Sequence, residues 1–441
     1  MSKPISKKEF DRRRKRLLEQ MTPGSVAIIP GATEQRRNKD IDFPFRQDSD
    51  FLYLTGFHEP ESLLVLLPGR AQGESVLFCR ERDETAEQWH GERLGPERAS
   101  QMLGVDDAFP INDIEDILPN MLEGRARIYI TLGEYPSFDA KLIEWVKTIQ
   151  QRELHGAKPP GEFVALKHLL HEMRLVKSAA ELRVMRKAAA ITVQAHERAM
   201  RECHPGMMES QLEAELVHEF MRSGARSPAY PSIVGGGNNA CVLHYTDNAA
   251  SLKDGDLVLI DAGCEYQYYA ADVTRTFPVG GKFSKEQAAI YALVLAAQEA
   301  AIDVCRPGTG FDKPDRVAMR VMVQGLIDLK LLKGSLDKTL TSKAAKAICP
   351  HKTSHWLGID VHDVGDYRIE ETWRTLEPGM VLTIEPGIYL SELNKNIPAK
   401  WRGIGVRIED DIVITKSAPE VLTAGAAKSI ADIEQLVGCS G

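Results

Sequence analysis

The sequence predicts an α+β protein of two domains, residues 1–175 and 176–441, the larger of them built from two related halves. Three observations carry this. First, the texture of the chain changes near Met173–Lys177. Before it, apolar strand-like runs (Ser62–Leu67, Ser75–Phe78) mix with helical stretches such as Phe138–Gln150, as in an α/β domain. A Gly/Pro-rich turn at Gly156–Gly161 follows, and from Ser178 a long helix is expected, opened by the capping box Ser178–Glu181, with Leu182, Met185, Ala189 and Val193 on one face. Second, two helix pairs are each broken at Pro-Gly, in MRECHPGM (200–207) and VCRPGT (304–309). Third, Gly255-Asp-Leu-Val-Leu-Ile-Asp261 and Gly379-Met-Val-Leu-Thr-Ile-Glu385 both read as a turn glycine, an apolar strand and a carboxylate six residues on. A pseudo-twofold arrangement of the halves brings these two acids together.

Composition narrows the function. With 43% hydrophobic and 27% charged residues the 441-residue chain is of ordinary globular usage, which excludes disorder as its theme. The net charge of −8 argues against nucleic acid as a partner. Basic charge gathers in residues 1–20, where Lys3, Lys7, Lys8, Arg12, Arg13, Arg14, Lys15 and Arg16 face only Glu9, Asp11 and Glu19. This reads as the exposed face of a first helix with Phe10, Leu17 and Leu18 inward. No apolar segment follows it, and the longest apolar run, Ala288–Ala297, is about half a bilayer span, so a cytoplasmic protein without membrane contact is expected. Seven cysteines (79, 203, 241, 264, 305, 349 and 439) stand singly with no CxxC, as expected of reduced packing thiols.

The acids carry the chemistry. Beyond Asp261-Ala-Gly a polar turn leads to Asp272 and a returning strand, Val273–Phe277, so Asp261 and Asp272 are expected to face each other on a hairpin. Two carboxylates so close repel unless a proton or cation lies between them. Glu385 ends a strand in the second half, and Glu409 interrupts the apolar alternation of Gly405–Ile414. Between the halves runs His351-Lys-Thr-Ser-His355-Trp-Leu-Gly-Ile-Asp-Val-His362. One imidazole among four carboxylates suits Mn²⁺, Co²⁺, Fe²⁺ or Zn²⁺ better than Mg²⁺ or Ca²⁺.

The stretches IDAGCEYQYYAADVTRTFPV, SHWLGIDVHDVG, LTIEPGIYL and GIGVRIEDDIVIT, in this order, resemble the pita-bread metallopeptidases, which include methionine aminopeptidase, prolidase and aminopeptidase P. FPFRQDSDFLYLTGFHEPES (43–62) is similar to the amino-terminal domain of bacterial aminopeptidases P. The resemblance implies a pita-bread catalytic domain behind a smaller α/β domain, and release of the first residue from Xaa-Pro peptides by a hydroxide that bridges two metal ions, manganese by preference. It implies the metal ligands Asp261, Asp272, His355, Glu385 and Glu409. Glu385 doubles as proton shuttle, His362 faces the developing oxyanion and His244 meets the substrate backbone. His351 and Arg407 lie on the leaving side, Tyr389 hydrogen-bonds behind them, and Asp40 reads the free amino group. Trp89 reads as a substrate-side residue or as packing, and Arg407 also reads as an ion-pair partner of Glu409.

Lys352 departs from the family pattern, which has glycine after this first histidine, so the loop must run through ordinary backbone angles. A homo-oligomer, with a tetramer as the expected count, completes the picture. The alternatives are a prolidase, a creatinase-like enzyme without this metal cluster, and a binding-only relative of the fold. The intact ligand set argues against the last two.

Overall fold

The structure is a computed structural model and describes residues 3–438. The chain divides into two compact units, Ile5–Arg174 and the chain from Leu175 onward with Lys3 and Pro4. No helix is long and apolar enough to cross a membrane.

In the smaller unit, the apolar runs form a six-stranded mixed sheet. Its spatial order is Asp107–Pro110, Ser75–Cys79, Leu63–Leu66, Ser25–Pro30, Arg127–Ile130, Glu162–Ala165. Ser25–Pro30 pairs antiparallel with Leu63–Leu66 and parallel with Arg127–Ile130, and its residues through Ile29 are buried on both faces. The helix Pro136–Gln150 lays Leu142, Trp145, Val146 and Ile149 on this core, the 3–4 spacing that puts them on one face.

The basic first helix, Lys7–Gln20, corrects the sequence reading. Leu17 is inward, but so are Arg13 and Arg14. Arg13 donates to the carbonyl of Tyr53 and lies 4.1 Å from the centroid of its ring; Arg14 donates to the carbonyls of Leu54, Leu103 and Gly104. Two helices, Ser49–Thr55 and Gly95–Leu103, end at these carbonyls, so the buried guanidinium groups satisfy acceptors that a helix end leaves unpaired. Sequence periodicity treats arginine as polar and does not detect this use.

In the larger unit, the expected duplication is visible in matching details. Each half has a helix pair, Ala179–Glu202 with Glu209–Arg222 and Lys285–Asp303 with Asp312–Asp328. The first helix of each pair opens with a capping box, Ser178–Glu181 and Ser284–Gln287. At the Pro-Gly turns, Gly206 N–H donates to Leu252 O and Gly308 N–H to Leu376 O, while Leu252 and Leu376 return hydrogen bonds to Met207 and Thr309. Gly255 and Gly379 both adopt positive φ (83° and 97°) and launch the strands Leu257–Asp261 and Val381–Ile384. Six of the cysteines are free thiols; Cys439 lies outside the described residues.

Two segments differ from their sequence reading. The polar stretch after Gly263 is a small hairpin, Cys264–Tyr266 with Tyr269–Ala270, whose two-residue turn holds Gln267 and Tyr268 at φ 49° and 67°. Such turns ordinarily carry Asn or Gly, which is why the sequence gives no hairpin signal. The run Gly405–Ile414 is likewise two strands: Ile404–Arg407 pairs with Gly387–Leu390, and Asp410–Val413 pairs with Val381–Ile384. The chain changes partner at Ile408–Glu409, where Glu409 N–H donates to Thr274 O.

That crossing joins the halves. Arg275, fully buried, donates to the carbonyls of Thr274, Glu409, Ala426 and Ala427 and pairs with Asp410 at 2.7 Å. Lys428 also meets Asp410, at 2.8 Å, so loss of Arg275 removes one of two cationic partners together with the donor to four carbonyls, at about 3–5 kcal/mol. Arg275→Ala should therefore lose about that much stability in urea unfolding of the larger unit, and Arg275→Lys should recover only part of it, because one ammonium cannot reach five acceptors.

Candidate metal centre

The paired strands explain why distant acids meet. Asp261 ends its strand opposite Thr274, so Asp272, two residues before Thr274, comes back beside it. In the second half the segment carrying His355 runs along the strand Val381–Ile384: Thr383 N–H donates to His355 O, Leu357 N–H to Val381 O and Glu385 N–H to Thr353 O. His355 and Glu385 are neighbours for that reason. Glu409 arrives at the partner change just described.

A cavity of about 500 Å³ in the larger unit is lined by Asp261, Asp272, His355, Glu385, Glu409, His351, His362, His244 and Arg407. Ligand atoms of Asp272, His355 and Glu409 lie within 4.8 Å of one another. His355 Nε2 is 3.3 Å from Asp272 Oδ2 and 3.6 Å from Glu385 Oε1. Its Nδ1 lies 2.9 Å from Trp356 O, an acceptor, so Nδ1 carries the proton and the lone pair of the neutral ring is on Nε2, towards the acids. Asp261 is drawn to one side, with Arg407 Nη2 2.5 Å from its Oδ2.

The Tyr230 hydroxyl lies 2.7 Å from Asp261 Oδ1 and 2.5 Å from Asp272 Oδ1, putting one proton between the two carboxylates. Thr274 Oγ1 donates to Glu409 Oε2 at 2.7 Å and accepts from Arg407 Nε. Arg407 Nη1 donates to the Tyr389 hydroxyl. Tyr389 in turn lies 2.8 Å from His351 Nε2, while His351 Nδ1 faces Lys352 O. With Nδ1 protonated, His351 Nε2 accepts from Tyr389. A side chain at Gly387 would strike this pair, with its Cβ 2.5 Å from the tyrosine hydroxyl oxygen.

Arg407 was open to being a partner of Glu409; its guanidinium instead pairs with Asp261. His244 and His362 are exposed residues of the cavity lining, and His362 packs edge-on to His355 with ring centroids 4.4 Å apart. Lys352 keeps ordinary backbone angles and donates to Asp315. Asp40 belongs to the other unit, exposed at the tip of the hairpin Arg36–Asn38/Ile41–Asp42, and Trp89, also in that unit, is 79% exposed rather than packed.

Electrostatics favour a cation. Burial pushes Glu409 well above the carboxylate range, reinforced by Asp272, Glu385 and Asp261. Burial also raises Glu385, to about 7, against the pull of His355 and Arg407, and raises Asp261 against Arg407. Burial acts upward on Asp272 too, but its hydrogen bond and charge contact with His355 bring it below the usual value. His355 is raised to about 9: burial opposes the charge, and Asp272 and Glu385 more than offset it. His351 is held down at about 4 by burial and Arg407, consistent with a neutral acceptor. Two buried carboxylates, Asp272 and Glu409, and two half-buried ones, Asp261 and Glu385, thus face one imidazole and one guanidinium, an oxygen-rich donor set that suits a divalent cation.

Residues 183–416 match the family description "Metallopeptidase family M24", and residues 10–129 match "Aminopeptidase P, N-terminal domain". The chain belongs to metallopeptidase family M24. It is 48% identical to the Xaa-Pro aminopeptidase of Escherichia coli and 45% to that of Haemophilus influenzae, over 98% of each chain. An aminopeptidase structure from Pseudomonas aeruginosa is 55% identical with a TM-score of 0.97, and E. coli aminopeptidase P with the inhibitor Pro-Leu is 48% identical with 0.95, both covering 98% of each chain. The fold is thus the pita-bread architecture with an aminopeptidase P-type amino-terminal region, as the M24 motifs implied.

Within this M24 site, sequence reasoning missed Tyr230 and Thr274. Tyr230 lies in SPAYPS with no pattern to single it out, and Thr274 looks like any strand threonine until its hydroxyl is found between Glu409 and Arg407. Loss of an outer hydrogen bond to a metal-binding carboxylate typically weakens the metal about 10–100-fold. Thr274→Val should do so here, measured by competition with a chromogenic chelator, with little change in overall fold.

Proposed function

We infer that this M24 protein is a metal-dependent aminopeptidase that releases the first residue from peptides with proline second. The observation that carries the reading is one cavity to which both halves deliver acids and histidines, within a chain matched over 98% of its length by Xaa-Pro aminopeptidases. Residues 1–175 are assigned as the amino-terminal domain and 176–441 as the catalytic domain. Asp261, Asp272, His355, Glu385 and Glu409 are assigned as ligands of two divalent ions per subunit, manganese by preference. When bound, such ions supply a water that loses its proton near neutral pH, and positive charge beside the scissile carbonyl oxygen.

The chain's own residues do the rest. Glu385 takes a proton from the attacking water and passes it to the proline nitrogen as the C–N bond breaks. His362 donates to the carbonyl oxygen as it gains negative charge, and His244 holds the peptide main chain. His351 lines the place of the proline ring, and the sequence of donors Arg407 to Tyr389 to His351 fixes the orientation of that imidazole. Asp40 is assigned to the free amino group on family likeness. The working form is a homo-oligomer in the cytoplasm, a tetramer by the same likeness, with neither nucleic acid nor membrane as partner.

Two measurements check this. Manganese-loaded protein offered an Xaa-Pro-Yaa tripeptide, an Xaa-Pro dipeptide and a Met-initiated peptide should cleave the tripeptide; cleavage of the dipeptide alone would make the protein a prolidase. His362→Ala should retain metal but lower kcat about 10²-fold, as for removal of an oxyanion donor. A change confined to KM would remove His362 from that role.

A further inference from the structure

A second cavity, of about 400 Å³, adjoins the catalytic one, and Lys352 and Ser354 line both. Its walls are aromatic. Phe311, on the turn before the helix Asp312–Asp328, packs 4.8 Å from Tyr367 and 6.5 Å from Trp373, ring centroid to centroid. Tyr367 stands just before the two-stranded hairpin Arg368–Ile369/Thr372–Trp373, and Trp373 on its second strand. Phe311 is anchored by its N–H to Arg374 O, and Tyr367 stacks nearly parallel on the fully buried Trp356.

The charges at the rim are already engaged. Asp315 accepts from Lys352 Nζ and from Thr353, Asp312 pairs with Arg316, and the Arg368 guanidinium lies 4.2 Å over the ring of Trp373. An aromatic pocket whose acidic neighbours are already paired and whose arginine lies on a ring favours an apolar guest over a charged one. The wall common to the two cavities holds Ser354, nine-tenths buried, whose hydroxyl has no hydrogen-bond partner among the described residues. Lys352 is next in chain to His351, on the side assigned to the leaving peptide, so a chain continuing past the proline runs towards this second cavity rather than towards the ligands.

We propose that the Phe311–Tyr367–Trp373 pocket is a specificity subsite that takes an apolar or aromatic side chain from one of the two residues following the proline of the substrate. The proposal rests on the aminopeptidase reading above and deepens it: the preferred substrates are longer peptides with a hydrophobic residue downstream of Xaa-Pro. Such a pocket does not touch the reacting atoms. It adds binding on the leaving side, and filling it with a leucine-sized group is worth roughly tenfold or more in kcat/KM.

The test uses manganese-loaded full-length protein and the peptides Ala-Pro-Gly-Gly, Ala-Pro-Leu-Gly and Ala-Pro-Gly-Leu, each amidated. Leucine at one of the two positions should raise kcat/KM roughly tenfold over the glycine peptide. Trp373→Ala should abolish that gain while leaving Ala-Pro-Gly-Gly cleavage within about twofold, which also shows that the variant is folded. Trp373→Glu should turn the preference at that position from leucine to lysine. No gain from leucine at either position, or a gain that survives both substitutions, overturns the subsite while leaving the aminopeptidase reading standing. Failure of the unaltered protein to cleave any of the three peptides overturns both.

Discussion

The larger unit is organised around a single electrostatic difficulty: four carboxylates, Asp261, Asp272, Glu385 and Glu409, line one cavity where like charges repel strongly. Almost every contact nearby answers it. Tyr230 inserts a hydroxyl between the two aspartates, Arg407 draws Asp261 aside, Thr274 donates to Glu409, and His355 sits against Asp272 and Glu385. A hydrophobic core of this shape could be built without any of these acids. Their concentration suits a seat for divalent cations, with Asp272, His355 and Glu409 close enough to share one.

Symmetry supplies the acids and its breakdown supplies the function. Gly255 and Gly379 launch equivalent strands, and Asp261 and Glu385 follow them as equivalent residues. The neighbourhoods then diverge: Asp261 is hydrogen-bonded to Arg407, whereas Glu385 approaches His351 and His355. A duplicated scaffold thereby yields two chemically distinct carboxylates at related positions, one engaged by the wall and one facing the cavity.

How much of this was legible in the sequence follows from the range of the signal. Local patterns were sufficient for the capping box at Ser178, the strand runs of the smaller unit and the Pro-Gly helix breaks, because each depends on residues a few positions apart. The site acids were legible because Asp261 and Glu385 close a repeated glycine-and-strand pattern, Asp272 precedes a returning strand, and Glu409 interrupts an otherwise apolar run. Tyr230 and Thr274 were not, since their importance lies in contacts made 31 to 135 residues away with no periodicity to betray them. Arg13 and Arg14 misled for the opposite reason: their spacing reads as a solvated face, and only the carbonyl ends of two other helices give them a reason to be inside. The strand change at Ile408–Glu409 carries no turn signal, because no glycine or proline separates Ile404–Arg407 from Asp410–Val413.

The bonds that tie Arg275 to Ala426 and Ala427 set an order of assembly. The first half of the duplicated unit could acquire its helices and its Asp261–Asp272 pair early in synthesis. The clasp on the strand Thr274–Pro278 closes only when residues some 150 positions later, close to the carboxyl end, have emerged and docked. A nascent chain that has reached only Asp272 therefore holds half of the four acids, and the cavity is whole only once Glu385 and Glu409 have joined them.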